Sequence, residues 1–410
     1  MNLFKNFVFM LLFAAALPCV AAENLQGMFS RGELSAEVRA FYFGRDFDGS
    51  TTDREDLAVG GIMSYRTDSL KGVSFGVSFA TANDAASDDD KNVYGLLPSD
   101  EYGNHDSVTR LQEAFIQGKW FNTQVRYGAQ MVNTPFLNNH DIRLLSKSYK
   151  GLSVINNTFE HFEFQAYYIT DYLDWSSDSF VSMTESVGSS GDRNPMMIGM
   201  MKYTFPVDFV KASIEGWQYH MEDTVNMSYF KAIISGKVGD ASLRFVPMYF
   251  MEKSIGDDYA GEFDTDQYGF NAGVSSYGAS VDVFYAKTGD NKLYTPWGDS
   301  RVINMQILAS EMAEEDAYAV RVGYDFSEVG VKGFNAFITY GVFDSEEFGR
   351  TASNDGEEVD FDLQYNLKYV LGGLLDGFSL RARYAIINKD QGEDFTDTRI
   401  YLKYKFALGK

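Results

Sequence analysis

Cationic side chains stand at alternate positions in several short runs of this chain, and that spacing points to one chemistry. Arg381, Arg383, Arg399, Lys403 and Lys405 crowd the C-terminal end, with Arg39, Arg126 and Arg321 in comparable settings upstream. Most are flanked by apolar residues, so in an extended backbone they project to the side opposite those neighbours. A row of fixed cations replaces part of the hydration an anion loses and so guides carboxylates along a surface. The alternative is a scatter of separately solvated charges on a wet face. Acids occupy matching places: Glu113, Glu163 and Asp282 share that parity, and Asp141 lies with Arg143 in a polar connection. Acids facing bases across a narrow passage set up a transverse field that orients dipolar solutes. Asp141 reads equally well as a turn or N-cap carboxylate, and Arg143 as a brace for its own loop.

Other chemistry finds less support. Gly72-Val73-Ser74-Phe75-Gly76 fits the string of a nucleophile elbow, but it sits inside an alternating run rather than between a strand and a helix. The four histidines (His105, His140, His161 and His220) show no metal-ligand spacing. Asp46-x-Asp48-Gly49 resembles the start of a calcium loop, but Leu57 stands where the closing acid belongs. The expectation is therefore no catalytic residue, no metal and no cofactor, with a hydrolase built on Ser74 as the alternative. Asp88-Asp89-Asp90, Asp257-Asp258 and Glu346-Glu347 read as solvated loop acids, with bridging of divalent cations as the other reading. A formal charge of −23 argues against a nucleic-acid partner, which requires a basic footprint.

The elements that must position these charges are strands. Val73, Phe75, Val77 and Phe79 alternate with Ser74, Gly76 and Ser78; Leu380, Ala382, Tyr384 and Ile386 alternate with Arg381, Arg383 and Ala385. Eighteen such runs are expected, near 33–43, 56–66, 72–82, 110–119, 122–131, 148–156, 162–171, 196–205, 211–220, 227–236, 241–250, 267–276, 279–288, 317–325, 334–343, 358–369, 379–388 and 398–406. Most hold nine to eleven residues, enough for a tilted strand to cross a bilayer. Odd-numbered connections are long and polar, except 221–226. Even-numbered ones are short, as around Asn122, at Lys237–Asp240 and at Tyr277-Gly278. Such segregation by parity is rare in a soluble sandwich and normal in a barrel with periplasmic turns and extracellular loops. Aromatic residues make up 16% of the chain while mean hydropathy is only −0.24, as expected when one strand face meets lipid and the other water. Pro247 fits poorly inside the eleventh run, because a closed sheet has no edge to host it. The fold class is thus all-β: a transmembrane antiparallel up-and-down β-barrel of about eighteen strands. By parity the eight cations line its lumen, and closure brings Arg39 beside the last two strands to form one basic wall.

Residues 1–22 read as a signal peptide, with Lys5 in the basic segment, Phe7–Ala16 as the apolar run, and Val20-Ala21-Ala22 before the cut. Its removal takes away the only cysteine, Cys19, leaving residues 23–410 as one barrel domain without a thiol. No folded plug of some hundred residues precedes the first strand, which disfavours a gated receptor. A surface adhesin is a further alternative. The bacterial outer membrane, with its lipid and lipopolysaccharide, is the expected location, and a homotrimer the possible assembly.

The stretch Arg126-Tyr127-Gly128-Ala129-Gln130, Thr134-Pro135-Phe136-Leu137, Asp141-Ile142-Arg143-Leu144-Leu145 and Tyr149-Lys150-Gly151-Leu152 resembles the OprD-type porin family. The strand count extends that likeness over the chain, and the acidic balance is compatible with the similar major porins of campylobacter-like bacteria. The resemblance implies a substrate-preferring channel with a constriction loop near 132–147 and an arginine ladder. It further implies passive diffusion of small hydrophilic solutes, amino acids or carboxylates among them. Two departures stand out: Leu145-Ser146 replaces the proline usual after Asp-x-Arg-Leu, and the chain ends Phe406-Ala407-Leu408-Gly409-Lys410 rather than on an aromatic residue.

Overall fold

Two-residue periodicity becomes one closed antiparallel sheet in the computed structural model, which describes residues 22–87, 95–99, 104–298, 300–345 and 355–408. Apart from Ala22, the expected signal peptide lies outside the described residues, as do Asp88-Asp89-Asp90 and Glu346-Glu347. A short helix, α1 (Leu25–Ser30), capped by the Asn24 side chain, precedes the barrel; no apolar period announced it. The strands follow as β1 (Glu33–Phe47), β2 (Arg54–Arg66), β3 (Val73–Asp84), β4 (Val108–Trp120), β5 (Thr123–Gln130), β6 (Ser148–Asn156) and β7 (Phe162–Leu173). Next come β8 (Val181–Ser182), β9 (Met196–Phe205), β10 (Lys211–Met221), β11 (Val225–Val238), β12 (Ala241–Ser254) and β13 (Asp264–Ser276). The series ends with β14 (Ala279–Thr288), β15 (Glu315–Asp325), β16 (Phe334–Ser345), β17 (Gly356–Asn366), β18 (Phe378–Lys389) and β19 (Phe395–Leu408).

Strand β1 pairs with β2 on one side and β19 on the other, so the sheet has no edge. The two-residue β8 merely touches the upper end of β7, which pairs along its length with β9; eighteen strands therefore form the wall. Closure satisfies the backbone polar groups of the wall, the condition for a strand structure to stand in lipid. Each of the eighteen expected runs is a strand. The sixteenth of these runs, β17, stops at Asn366 rather than 369, because the chain turns through Leu367–Gly373 with Leu371 and Gly372 at positive φ.

Apolar side chains point out and polar ones in. Val38, Met63, Phe79, Met201, Ile214, Phe230, Val320, Ile338, Leu363 and Ile400 are exposed on the outer face. Outward aromatic rings touch near the short-turn end (Phe162 and Tyr203, 4.7 Å) and near the long-loop end (Tyr285 and Tyr318, 5.1 Å). Pro247 is accommodated without a bulge. It stays opposite Phe270 in the β12–β13 pairing, while the β11–β12 pairing lapses between Lys231↔Met248 and Ile234↔Phe245 and resumes in the same register. Gly72, Gly333 and Gly377 take positive φ at the short turns preceding β3, β16 and β18, a conformation open to glycine without cost. Gly151 lies within β6, where the β6–β7 register shifts.

Candidate functional site

The connection between β5 and β6 turns inward because its apolar residues find partners on distant strands. Phe136 is buried edge-on against Tyr219, Tyr229 and Phe250 of β10, β11 and β12, at centroid distances of 5.3, 5.7 and 5.6 Å. Leu144 and Leu145 are buried instead with Phe41 and Phe43 of β1. One loop thus contacts the wall on both sides of its own origin and forms a shelf across the lumen.

At the β1 side the shelf meets charge. Arg39, only 4% exposed, places Nη1 2.6 Å from Asp141 Oδ1 and Nη2 3.2 Å from Oδ2, while its Nε lies 2.6 Å from Glu37 Oε1. Arg39 Nη1 also donates to the Leu144 carbonyl at 3.0 Å. Lys403, opposite Arg39 in the β1–β19 register, lies 3.3 Å from Asp141 Oδ2, and Lys405 lies 2.7 Å from Glu37 Oε2. Ser146 Oγ donates to Asp141 at 2.8 Å. Burial alone would raise the Asp141 pKa, but the charges of Arg39 and Lys403 and these hydrogen bonds outweigh it and hold the carboxyl below its usual range.

The remaining wall cations are paired too. Arg381 forks onto Asp362, with Nε 2.9 Å from Oδ1; Arg383 approaches Asp360 at 3.5 Å; Arg399 Nε donates to Asp397 at 2.6 Å. Arg45 reaches the same Asp397 at 2.9 Å. Arg143 stacks between the rings of Phe43 and Trp175, at 5.5 and 5.2 Å. Its burial, with Arg399 close by, pushes its pKa down to about 10. The expected basic wall is therefore corrected: its cations alternate with carboxylates from neighbouring strands. Glu37, Glu358, Asp360, Asp362 and Asp397 were missed, although the same alternation that places Arg39, Arg383 and Arg399 inside places them inside as well.

Arg126, Arg321, Glu113, Glu163 and Asp282 face the lumen elsewhere. Glu113 accepts from Ser78 Oγ at 2.9 Å and from the Met131 amide at 3.1 Å, so it anchors the start of the shelf. Arg126 lies over the Phe115 ring at 4.1 Å and donates to Gln117 at 2.7 Å. Glu163 accepts from Gln165 at 2.5 Å. Arg321 donates to Thr339 at 3.0 Å and sits opposite Asp282 in the β14–β15 register. Ser74 pairs with Gln117 inside β3, with no elbow around it.

A second inward loop spans 289–314, within the connection 289–316 that the alternation of runs leaves as one more long outer loop. Trp297 is fully buried, and its carbonyl accepts from Tyr149 Oη at 2.6 Å. Lys147 Nζ donates to the Pro296 carbonyl at 2.9 Å and Ser300 Oγ to the Pro135 carbonyl at 2.7 Å, joining the two loops. The tip reaches β17 and β19: the amides of Ile307 and Leu308 donate to Glu358 at 3.0 and 2.6 Å, and Gln306 N to Asp360 at 3.0 Å. Beneath the shelf remains a cavity of about 300 Å³ bordered by Asp141, Arg381, Arg383, Lys403, Asn335 and Gln364.

The sequence profile of the OprD family of outer membrane porins matches residues 26–408. Among solved structures, Pseudomonas aeruginosa OpdK with vanillate shares 20% identity at a TM-score of 0.82, covering 93% of this chain and 100% of that one. P. aeruginosa OccK9 (OpdG) shares 21% identity at a TM-score of 0.83, with the same coverages of 93% and 100%. A BenF-like porin from Pseudomonas fluorescens Pf-5 shares 19% identity at a TM-score of 0.82, again covering 93% and 100%. No curated protein sequence matches significantly.

Proposed function

The chain belongs to the OprD family of outer membrane porins, and from that premise we propose that its eyelet favours solutes carrying both charges, amino acids foremost, over simple carboxylates. As a porin of this family it passes small hydrophilic solutes passively across the outer membrane. The observation that carries the preference is the alternation Lys405–Glu37–Arg39–Asp141–Lys403 at the shelf's edge. An array of adjacent opposite charges offers an ammonium and a carboxylate partners at once, whereas an unpaired row of arginines would favour anions alone. Asp141, Arg143, Arg381, Arg383 and Arg399 act with these residues as the selectivity set. Liposome swelling tests the preference: glycine and serine should enter faster than benzoate or acetate of similar size. Equal or faster carboxylate entry would overturn it.

A leader ending at Ala22 would bring the chain to the envelope. Exposed outer aromatic residues such as Tyr249, Tyr268 and Tyr318 suit contact with lipid and lipopolysaccharide headgroups. A groove of about 350 Å³ on the wall at β6–β10, bordered by Ala166 and Gly199, supports association into a homotrimer. Native mass measurement in detergent tests that assembly.

A further inference from the structure

Turns 326–333, joining β15 to β16, and 367–377, joining β17 to β18, are the longest at the short-turn end of the barrel, where the hairpin at 277–278 closes in two residues. Both hold apolar side chains outward: Val329 and Val331 in the first, Tyr369, Leu371 and Leu374 in the second, are all exposed. Leu371 and Leu374 are 72% and 76% exposed, against 44% for Val320 on the lipid-facing wall. Leu371 also takes φ of 50°, a left-handed conformation that is costly for a residue with a β-carbon. The strained backbone presents a leucine to the outside instead of burying it. The two turns make one surface. Asn366 N donates to the Gly333 carbonyl at 2.9 Å, and Tyr369 lies over Gly333, where a β-carbon would stand 3.2 Å from its ring. Above them the outer wall carries rings in contact: Tyr324 and Phe326 at 5.0 Å, Phe326 and Phe334 at 4.8 Å, Phe334 and Tyr365 at 5.5 Å, and Phe378 and Tyr404 at 4.3 Å. On the outward parity of their strands these rings form part of the interfacial girdle of the wall.

We propose that turns 326–333 and 367–377 form a membrane foot, a surface that seats in the headgroup region of the periplasmic phospholipid leaflet. Continuity with the lipid-facing wall selects this occupant: the apolar surface of β15–β19 continues through the girdle onto the two turns. Charge does not select it. Glu328 offsets Lys332, and Asp376 offsets Lys368, so a neutral phospholipid suits the turns as well as an anionic one. Valine and leucine gain by leaving water for the acyl boundary, while Tyr369 buries its ring there and keeps its hydroxyl among the headgroups. The β17–β18 hairpin that ends in the foot carries Asp360, Asp362, Arg381 and Arg383 of the eyelet higher on its strands. Lipid contact at one end of that hairpin therefore steadies the strands that present charge at the other. The inference rests on the outer-membrane barrel and is independent of the solute preference.

The test attaches an environment-sensitive fluorophore to single cysteines of the intact protein in a Cys19→Ser background. The protein is reconstituted into phosphatidylcholine vesicles whose acyl chains are brominated near the headgroup. Leu371→Cys and Leu374→Cys report on the foot, Val320→Cys on the outer wall marks lipid, and Lys237→Cys at the exposed end of β11 marks water. Bromine quenches only on contact. Labels at 371 and 374 should be quenched about as strongly as the label at 320 and about threefold more than the label at 237, as for side chains seated about 5–10 Å into the headgroup boundary. Aqueous iodide should quench in the reverse order. Labels at 371 and 374 that iodide reaches as readily as 237, and that brominated lipid leaves untouched, would overturn the foot. Because the vesicles hold lipid alone, that result would assign the surface to a protein partner instead. If Leu371→Cys fails to insert, Leu374→Cys and Val329→Cys decide in the same way. Single-channel conductance should match the wild type at every labelled foot position, and a changed conductance would overturn the placement of these side chains outside the lumen.

Discussion

Asp141→Asn removes one charge from the junction of shelf and wall while keeping its shape. The carboxylate receives Arg39 through both oxygens, Lys403 at 3.3 Å and Ser146 at 2.8 Å. Removing one partner of a fully buried ion pair costs about 3–5 kcal/mol. Asp141 is 34% exposed, so solvent screening reduces the figure to about 1.5–3 kcal/mol. That corresponds to a shift of about ten- to a hundredfold in the balance between docked and released shelf. The variant should therefore show noisier single-channel current, a higher mean conductance and a reversal potential moved toward anions. Acid should act on the wild type in the same direction. Because the docked carboxyl has a depressed pKa, its contribution is complete above the ordinary aspartate value of about 3.9 and fades as pH falls through the docked value. Wild-type current should stay quiet from neutral pH to about 4, the ordinary aspartate range, and loosen only below it; the variant should lack that acid step. Identical noise, conductance and selectivity in both proteins would refute the assignment of Asp141 as the shelf's electrostatic anchor.

Phe136→Ala should detach the other end of the shelf. Truncating a buried phenylalanine costs about 3–5 kcal/mol, so conductance and permeation of larger sugars in liposome swelling should rise while ion selectivity holds. Glu358→Gln should free the tip of the second loop, since one amide oxygen cannot serve both the Ile307 and Leu308 amides as the carboxylate does; an unmet buried donor costs about 1–3 kcal/mol. Faster protease nicking within 304–309, with the barrel intact on semi-native gels, is the expected outcome. Glu393 joins two outer loops by accepting from the Ser50 and Thr51 amides at 2.6 and 3.0 Å. Those bonds, with the Thr51 hydroxyl foremost, lower its pKa to about 2. Exchange protection of the Ser50 and Thr51 amides should thus persist above the ordinary glutamate pKa and be lost as pH falls toward 2, and Glu393→Gln should lower it at neutral pH.

The wall was legible because a strand's two faces alternate wherever its pairing is regular, so each short run declared its own inside and outside. Parity put Arg39, Arg381, Arg383, Arg399, Lys403 and Lys405 correctly inside. It could equally have exposed Glu37, Asp360, Asp362 and Asp397, which sit in the same register as those bases; the acids that parity did single out, Glu113, Glu163 and Asp282, lie on other strands. The shelf was legible only through its resemblance to a known family. The inward course of 289–314 was not, since it depends on Trp297, Ile303 and Leu308 meeting residues far along the chain, and no local period records such a meeting. The helix α1 was too short to show a repeat, and the gap at Pro247 is resolved by two omitted pairings that sequence alone cannot place.

The two inward loops act as a cross-beam made of two halves, and the joint between them is made largely through backbone carbonyls, which accept from Tyr149, Ser300 and the Lys147 ammonium. At that joint Gly298 lies against the backbone of Phe136, where a β-carbon would come within 2.6 Å. The width of the sieve is thus governed by a mechanical seam, and its electrical preference by the wall beside it. Mesh size and affinity can then drift separately under selection, so a lineage could admit bulkier nutrients, or shut out a toxic compound, without rewriting which charges it welcomes.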